Sequence, residues 1–216
     1  MPDTAALDES ALLDGLREVG VVPVVTIDDP GKSFALASAL ASGGLRYVEI
    51  TLRTSAALES LSAARGAGAV LGAGTVTTAQ EAAQAVEAGA QFVVSPGLDE
   101  GVVRYCRDQG VPVIPGVATP TEVMAARALG LRALKVFPVG SLGGPGFVRS
   151  LAAVWPDMVF MPTGGVTQEV APQYLSLASV LAVGGSWMVP PALLSVHAWD
   201  DIETAARTAA RLRGTS

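Results

Sequence analysis

Only two of the fourteen basic side chains in this sequence are lysines, and one of them, Lys135, lies inside the apolar run Ala-Leu-Lys-Val-Phe-Pro at 133–138. A strand of that composition buries what it carries, and a buried ammonium is costly unless it is paired or gives up its proton. Arginine fills the other twelve basic positions, but it can neither lose a proton nor condense with a carbonyl. A desolvated lysine amine does both. Lys135 is therefore read as a nucleophilic amine. For this residue taken alone, the ordinary alternative is a lysine that snorkels from a strand end to water.

A second charged group sits in Val48-Glu49-Ile50-Thr51-Leu52-Arg53. Strand alternation puts Glu49, Thr51 and Arg53 on one face and the three apolar residues on the other. The apolar face should meet covering helices, so the polar face turns inward, where Lys135 and Phe137 share a parity on their own strand. An ion network that merely closes the fold is the structural alternative. It would not require a lysine, and it leaves two glycine pairs unexplained: Gly164-Gly165, within Pro162-Thr163-Gly164-Gly165, and Gly184-Gly185, just before Ser186. Paired glycines let backbone amides approach an anion, and Ser186 can add a hydroxyl donor, so this end is expected to hold phosphate.

Other residues carry less. Gly31-Lys32-Ser33 has the end of a phosphate loop, but Thr26 occupies the position of its first glycine, so Lys32 is read as an ordinary residue of a helix's first turns. The single histidine, His197, follows Pro190-Pro191 and suits a surface or capping position. One histidine cannot build a multi-histidine site and no Asp, Glu or Cys cluster has zinc-ligand spacing, so neither a metal nor another cofactor is expected. The lone Cys106 reads as a half-buried filler.

The elements that position these residues repeat. An alanine-rich helical stretch, a glycine, one to three residues and a short apolar strand recur, with Gly43-Gly44, Gly89, Gly110 and Gly130 ending the helices. Strands are expected to start near Val21, Tyr47, Ala69, Phe92, Val111, Ala133, Val159 and Val180. Apolar strands alternating with helices imply a parallel sheet, and eight such units predict a single (β/α)8 barrel over residues 1–216, preceded by an extra N-terminal helix from about Ala5 to Val19 that plugs its bottom. An open doubly wound sheet is the competitor, but the segment after the first strand, Thr26 to Gly31, lacks a nucleotide fingerprint. In a barrel, chemistry belongs at the C-terminal strand ends, where Glu49, Arg53, Gly72-Ala-Gly-Thr75, Val94-Ser-Pro96, Lys135 and both glycine pairs fall.

Composition narrows the classes. The formal charge of −6 argues against nucleic acid as a partner. No apolar run reaches transmembrane length and the N-terminus has no cationic segment before an apolar one, so neither membrane insertion nor export is expected. A single cysteine fits a reducing cytoplasm.

With these motifs in place, the sequence resembles the KDPG/KHG aldolases, the 2-keto-3-deoxy-6-phosphogluconate aldolase family, along nearly its whole length. The resemblance rests on ordered segments: Val-Val-Pro-Val near position 21, Val-Glu-Ile-Thr-Leu-Arg-Thr (48–54), Gly-Ala-Gly-Thr-Val (72–76), Gly-Ala-Gln-Phe-Val-Val-Ser-Pro-Gly (89–97), Ile-Pro-Gly-Val-Ala-Thr (114–119), Leu-Lys-Val-Phe-Pro (134–138), Pro-Thr-Gly-Gly-Val (162–166) and Gly-Gly-Ser-Trp-Met-Val (184–189). It implies a class I aldolase that forms pyruvate and glyceraldehyde 3-phosphate from the phosphorylated 2-keto acid, the closing step of the Entner–Doudoroff route, and a homotrimer. It makes Lys135 the Schiff-base lysine and Glu49 the proton shuttle. Arg53 and Thr75 match the carboxylate end and Pro96 and Phe137 the pocket lining, while Gly164, Gly165, Gly184, Gly185 and Ser186, beside Thr163, match the phosphate site. One stretch departs from the pattern: Val139 to Gly146 stands where many members carry Ala-Glu before their glycines, which bears on the aldehyde-side preference.

The residues alone lead to the same chemistry. A free lysine leaves about one amine in 2,500 neutral at pH 7. Burial raises that fraction while a paired carboxylate lowers it, so a loose or water-mediated Glu49–Lys135 contact is expected. Three rival readings remain at this level: cleavage of unphosphorylated 4-hydroxy-2-oxoglutarate, a non-catalytic phosphate-binding barrel, and a phosphosugar isomerase.

Overall fold

The structure, a computed structural model, describes residues 7–213. Ala5 and Ala6 of the expected N-terminal helix lie outside these residues; the helix itself, α1, spans Glu9–Val19. Asp8 caps it by accepting from Ala11 N at 2.7 Å, and Gly20 ends it at φ 70°.

Short apolar segments form nine parallel strands: β1 Val21–Val25, β2 Tyr47–Thr51, β3 Val70–Gly74, β4 Phe92–Val94, β5 Val113–Ile114, β6 Gly116–Val117, β7 Ala133–Val136, β8 Val159–Pro162 and β9 Val183–Gly185. Helices α2 (Ser33–Ser42), α3 (Ala57–Ala63), α4 (Ala79–Ala88), α5 (Glu100–Asp108), α6 (Pro120–Ala128), α7 (Gly144–Val154) and α8 (Ala171–Leu175) alternate with them, followed by α9 (Pro191–Ser195) and α10 (Trp199–Ala210). Gly89 ends α4 in the left-handed region; after α2 that conformation falls to Gly44 rather than Gly43.

The chain is an α/β protein with parallel sheets, arranged differently from one continuous eight-stranded ring. Strands β5-β4-β3-β2-β1-β9 make one sheet and β6-β7-β8 another. The expected fifth strand, Val111–Val117, is divided because Pro115 has no N–H to donate: β5 pairs with β4, and β6 with β7. Pro115 still accepts from Lys135 N at 2.9 Å. Val180 contributes only an isolated bridge to Phe160, so the last strand starts at Val183; a second bridge joins Thr163 to Gly184.

Two apolar layers flank the strands. Val48, Ile50 and other residues of their parity pack under the helices. On the other face, Val22, Tyr47, Phe92, Val94, Ile114, Met161 and Ala182 gather around Leu12, Leu16 and Val19 of α1. Leu12 and Leu16 are fully buried, and such burial contributes about 1.5–3 kcal/mol for each side chain. Helix α1 thus fills the end of the inner layer, and Glu49 and Thr51 continue the inner parity of Tyr47 toward the C-terminal strand ends.

Candidate active site

Lys135 and Glu49, 86 positions apart in sequence, meet at 3.2 Å between Nζ and Oε1. Lys135 is 4% exposed and Glu49 not at all. The contact is direct rather than loose or water-mediated as expected from sequence: with the pair shut off from solvent, each charge is compensated by the other. Strand β7 holds the lysine through Lys135 N to Pro115 O and pairing with Gly116 and Met161. The Lys135 Nζ also lies 5.4 Å from the centre of the Phe137 ring. Glu49 Oε2 is buried and has no hydrogen-bond partner among the described residues, which leaves a carboxylate oxygen able to accept.

Thr51, the last residue of β2, and Arg53 just beyond it are held by residues at the ends of the neighbouring strands. Thr51 Oγ1 donates to Val25 O at 3.0 Å and lies 2.9 Å from Thr26 Oγ1, tying β2 to the end of β1. Arg53 Nε donates to Thr75 Oγ1 at 3.3 Å. Thr75 has φ 61°, a left-handed conformation that a β-branched residue adopts at a cost. The segment after it is anchored at α4: Glu81 accepts from Thr77 N at 2.7 Å and Thr77 Oγ1 at 2.8 Å and completes a capping box with Thr78. The same hydrogen bonds, those from Thr77 foremost, hold the Glu81 carboxyl below the ordinary range.

A cleft of about 820 Å³ opens at these strand ends. Of the residues singled out from sequence, Arg53, Phe137, Thr163, Gly164, Gly165, Gly184, Gly185 and Ser186 line it together. Lys135 adjoins it through Phe137, and Thr75 through Arg53. Pro96 falls outside the lining; a side chain on Gly116 would run into its carbonyl. Gly164 and Gly165 both take left-handed backbone, at φ 86° and 82°, so their identity answers to backbone shape.

Sequence reasoning missed two groups. Thr26, Asp28 and Lys32, beyond the end of β1, and Val189, Pro191, Leu194 and Ser195, beyond β9, also form the wall. Lys32 stands in the first turns of a helix, as read from sequence, since it is the N-cap residue of α2; what that reading did not give is its place in the cleft wall. It closes a three-residue 3-10 turn, Pro30–Lys32, whose start is capped by Asp29 accepting from Gly31 N at 2.9 Å. The signal that could have found both groups was their place after strand ends, the rule that located the others.

A buried amine beside a carboxylate can condense with a carbonyl and move protons on the adduct, and the open cleft can take the rest of an anionic molecule. A family model of KDPG and KHG aldolase matches residues 13–205. The 2-dehydro-3-deoxy-phosphogluconate aldolase of Pseudomonas aeruginosa is 40% identical over 93% of this chain and 93% of its own. The crystal structure of the 2-keto-3-deoxy-6-phosphogluconate aldolase of Zymomonas mobilis with 3-phosphoglycerate is 40% identical, with a TM-score of 0.85 over 92% of this chain and 94% of that one. KDPG aldolase from Legionella pneumophila, solved with pyruvate captured as a covalent carbinolamine, is 33% identical, with a TM-score of 0.87 over 91% of this chain and 97% of that one. The class is thereby defined as an aldolase, a carbon–carbon lyase on a parallel α/β fold. Within that class, the chain belongs to the KDPG and KHG aldolase family.

Proposed function

We propose that this aldolase cleaves 2-keto-3-deoxy-6-phosphogluconate to pyruvate and glyceraldehyde 3-phosphate through a Schiff base on Lys135, as the closing step of the Entner–Doudoroff route. The observation that carries the site assignment is the buried 3.2 Å contact between Lys135 Nζ and Glu49 Oε1. Moving one proton across it turns the ion pair into amine and carboxylic acid without leaving a lone buried charge. The amine adds to the C2 ketone, and Glu49, now the acid, gives its proton to the departing hydroxyl, so that loss of water from the carbinolamine leaves an iminium and restores the Glu49 carboxylate. Glu49 takes the proton of the C4 hydroxyl as the C3–C4 bond breaks and its electron pair moves to the iminium, leaving an enamine. After the aldehyde departs, Glu49 returns a proton to C3, and hydrolysis releases pyruvate and the lysine.

Arg53 and Thr75 hold the carboxylate end in this reading, with Pro96 and Phe137 beside the pyruvate moiety. Thr163, Gly164, Gly165, Gly184, Gly185 and Ser186 receive the phosphate. The Legionella aldolase with pyruvate bound covalently and the Zymomonas aldolase with a phosphorylated acid support the two halves. Unphosphorylated 4-hydroxy-2-oxoglutarate is the lesser substrate, since it would leave the glycine cradle unused. Comparing rates for the phosphorylated acid, its C4 epimer and 4-hydroxy-2-oxoglutarate tests the assignment; preference for the last would overturn it.

The same reading treats β5 and β6 as one broken strand, so that the nine segments form the eight strands of a single (β/α)8 barrel over residues 1–216. The Lys135–Pro115 hydrogen bond and the bridges between Phe160 and Val180 and between Thr163 and Gly184 support closure. No helix among the described residues is long and apolar enough to cross a membrane, in keeping with an enzyme of the cytoplasm. Family resemblance supports a homotrimer, for which light scattering should give three times the 21.9 kDa chain mass.

A further inference from the structure

We infer that Lys32 is the cation of the phosphate end and sets the preference for phosphorylated over unphosphorylated substrates, an inference that rests on the proposed aldolase function. Among the described residues, the cleft wall contains only two cationic side chains, Arg53 and Lys32. Arg53 is engaged with Thr75 and, in the proposed function, serves the carboxylate end. The glycine amides and Ser186 are uncharged donors, whereas a phosphate monoester carries between one and two negative charges near pH 7. Without Lys32, that charge would enter a cleft whose wall also carries Asp28, with no cation of its own.

Lys32 is placed and free to act. Its one ion partner among the described residues is Asp29, three residues back at 4.0 Å, the loose limit of such contacts. The Asp29 carboxylate already accepts from Gly31 N at 2.9 Å and is half exposed. The lysine side chain is 19% exposed, so its charge is only partly screened by solvent. The turn that carries it is fixed by Pro30, by Lys32 N donating to Asp29 O at 3.1 Å and by the Ser33 N–H donating to Pro30 O. A lysine offers phosphate a compact charge on a stem that can follow the ligand.

Kinetics of Lys32→Ala, Lys32→Arg and Asp28→Asn on both substrates test this directly. For Lys32→Ala, KM for the phosphorylated acid should rise about tenfold, the lower range for losing a hydrogen bond to a charged group, with a much smaller change for 4-hydroxy-2-oxoglutarate. Lys32→Arg should recover most of the loss, and Asp28→Asn should lower KM for the phosphorylated acid. Titration of each protein with inorganic phosphate, followed by calorimetry, gives a readout that needs no turnover: binding should weaken in Lys32→Ala and respond less to added salt. Equal losses on both substrates, or unchanged phosphate binding in Lys32→Ala, would overturn the role of Lys32. A wild-type protein that binds phosphate through Lys32 yet does not cleave the phosphorylated acid would overturn the aldolase substrate instead, leaving the phosphate contact standing.

Discussion

The side chain of Glu49 fills the space in which a Cβ on Gly74 would stand, with its Cγ and Cδ 2.5 and 2.6 Å from that position. Strands β2 and β3 run in register, Glu49 beside Gly72 and Thr51 beside Gly74. A glycine at 74 therefore makes room for a buried carboxylate to reach Lys135. The glycine-rich end of β3 is part of how the acid is positioned.

Gly74→Ala should consequently act through Glu49. Glu49 is fully buried and its side-chain atoms occupy that position, so the added methyl must move the carboxylate or the strand, at about 1–3 kcal/mol for overpacking. Activity should fall at least tenfold while circular dichroism retains the wild-type form. A variant with wild-type rates and melting temperature would show that Glu49 yields at no cost.

Glu49→Gln keeps the size of the side chain but removes its ability to carry a proton. Cleavage and exchange of pyruvate's methyl protons with solvent should both slow by roughly 10²–10⁴, the span expected for general acid–base catalysis. Proton NMR of pyruvate in deuterated buffer measures the exchange. Wild-type exchange in a folded variant would reduce Glu49 to a structural partner of Lys135.

What was legible from sequence follows period and punctuation. Alternation in Val48–Arg53 is local, so it correctly puts Glu49 inside and Val48 and Ile50 under the helices. The directness of the Lys135–Glu49 contact is not local: it depends on how strands from distant parts of the chain are set side by side. Pro115 hides in an apolar run that reads as one strand, although its missing N–H divides the pairing. Lys32 was missed because Pro-Gly-Lys-Ser reads as a helix start, whereas the Asp29 cap and the tight turn carry the lysine to the cleft. Thr75 is legible as a strand end, but nothing in its neighbours signals its left-handed backbone.

That backbone gives a prediction in which stability and binding part company. A threonine at φ 61° stores about 1–3 kcal/mol, and glycine relieves this while adding about 1 kcal/mol of freedom to the unfolded chain. Thr75→Gly should thus melt no lower than wild type, yet raise KM severalfold because Arg53 loses its hydrogen-bond partner. A marked drop in melting temperature would mean that the Thr75 hydroxyl matters more to the fold than to the site.

Cys106, a buried residue of α5, should be silent to thiol reagents in the native state at neutral pH. Burial pushes its thiol up to about 11, favouring the protonated form in the fold. Its contribution to stability is complete below the unfolded value of about 8.5 and is lost as pH rises toward 11. Urea midpoints should therefore fall more steeply across that window for wild type than for Cys106→Ala. Parallel profiles, or rapid labelling of the native protein at neutral pH, would contradict this.

The most direct measurement is reduction of the protein with borohydride in the presence of pyruvate, followed by peptide mass mapping. Pyruvate supplies both the ketone and the carboxylate, and the competing amines are only Lys32 and the N-terminus. One adduct per chain is expected, on the peptide containing Lys135, and none in Lys135→Arg. An adduct on Lys32, or no pyruvate-dependent adduct in protein that still cleaves substrate, would contradict Schiff-base catalysis at Lys135.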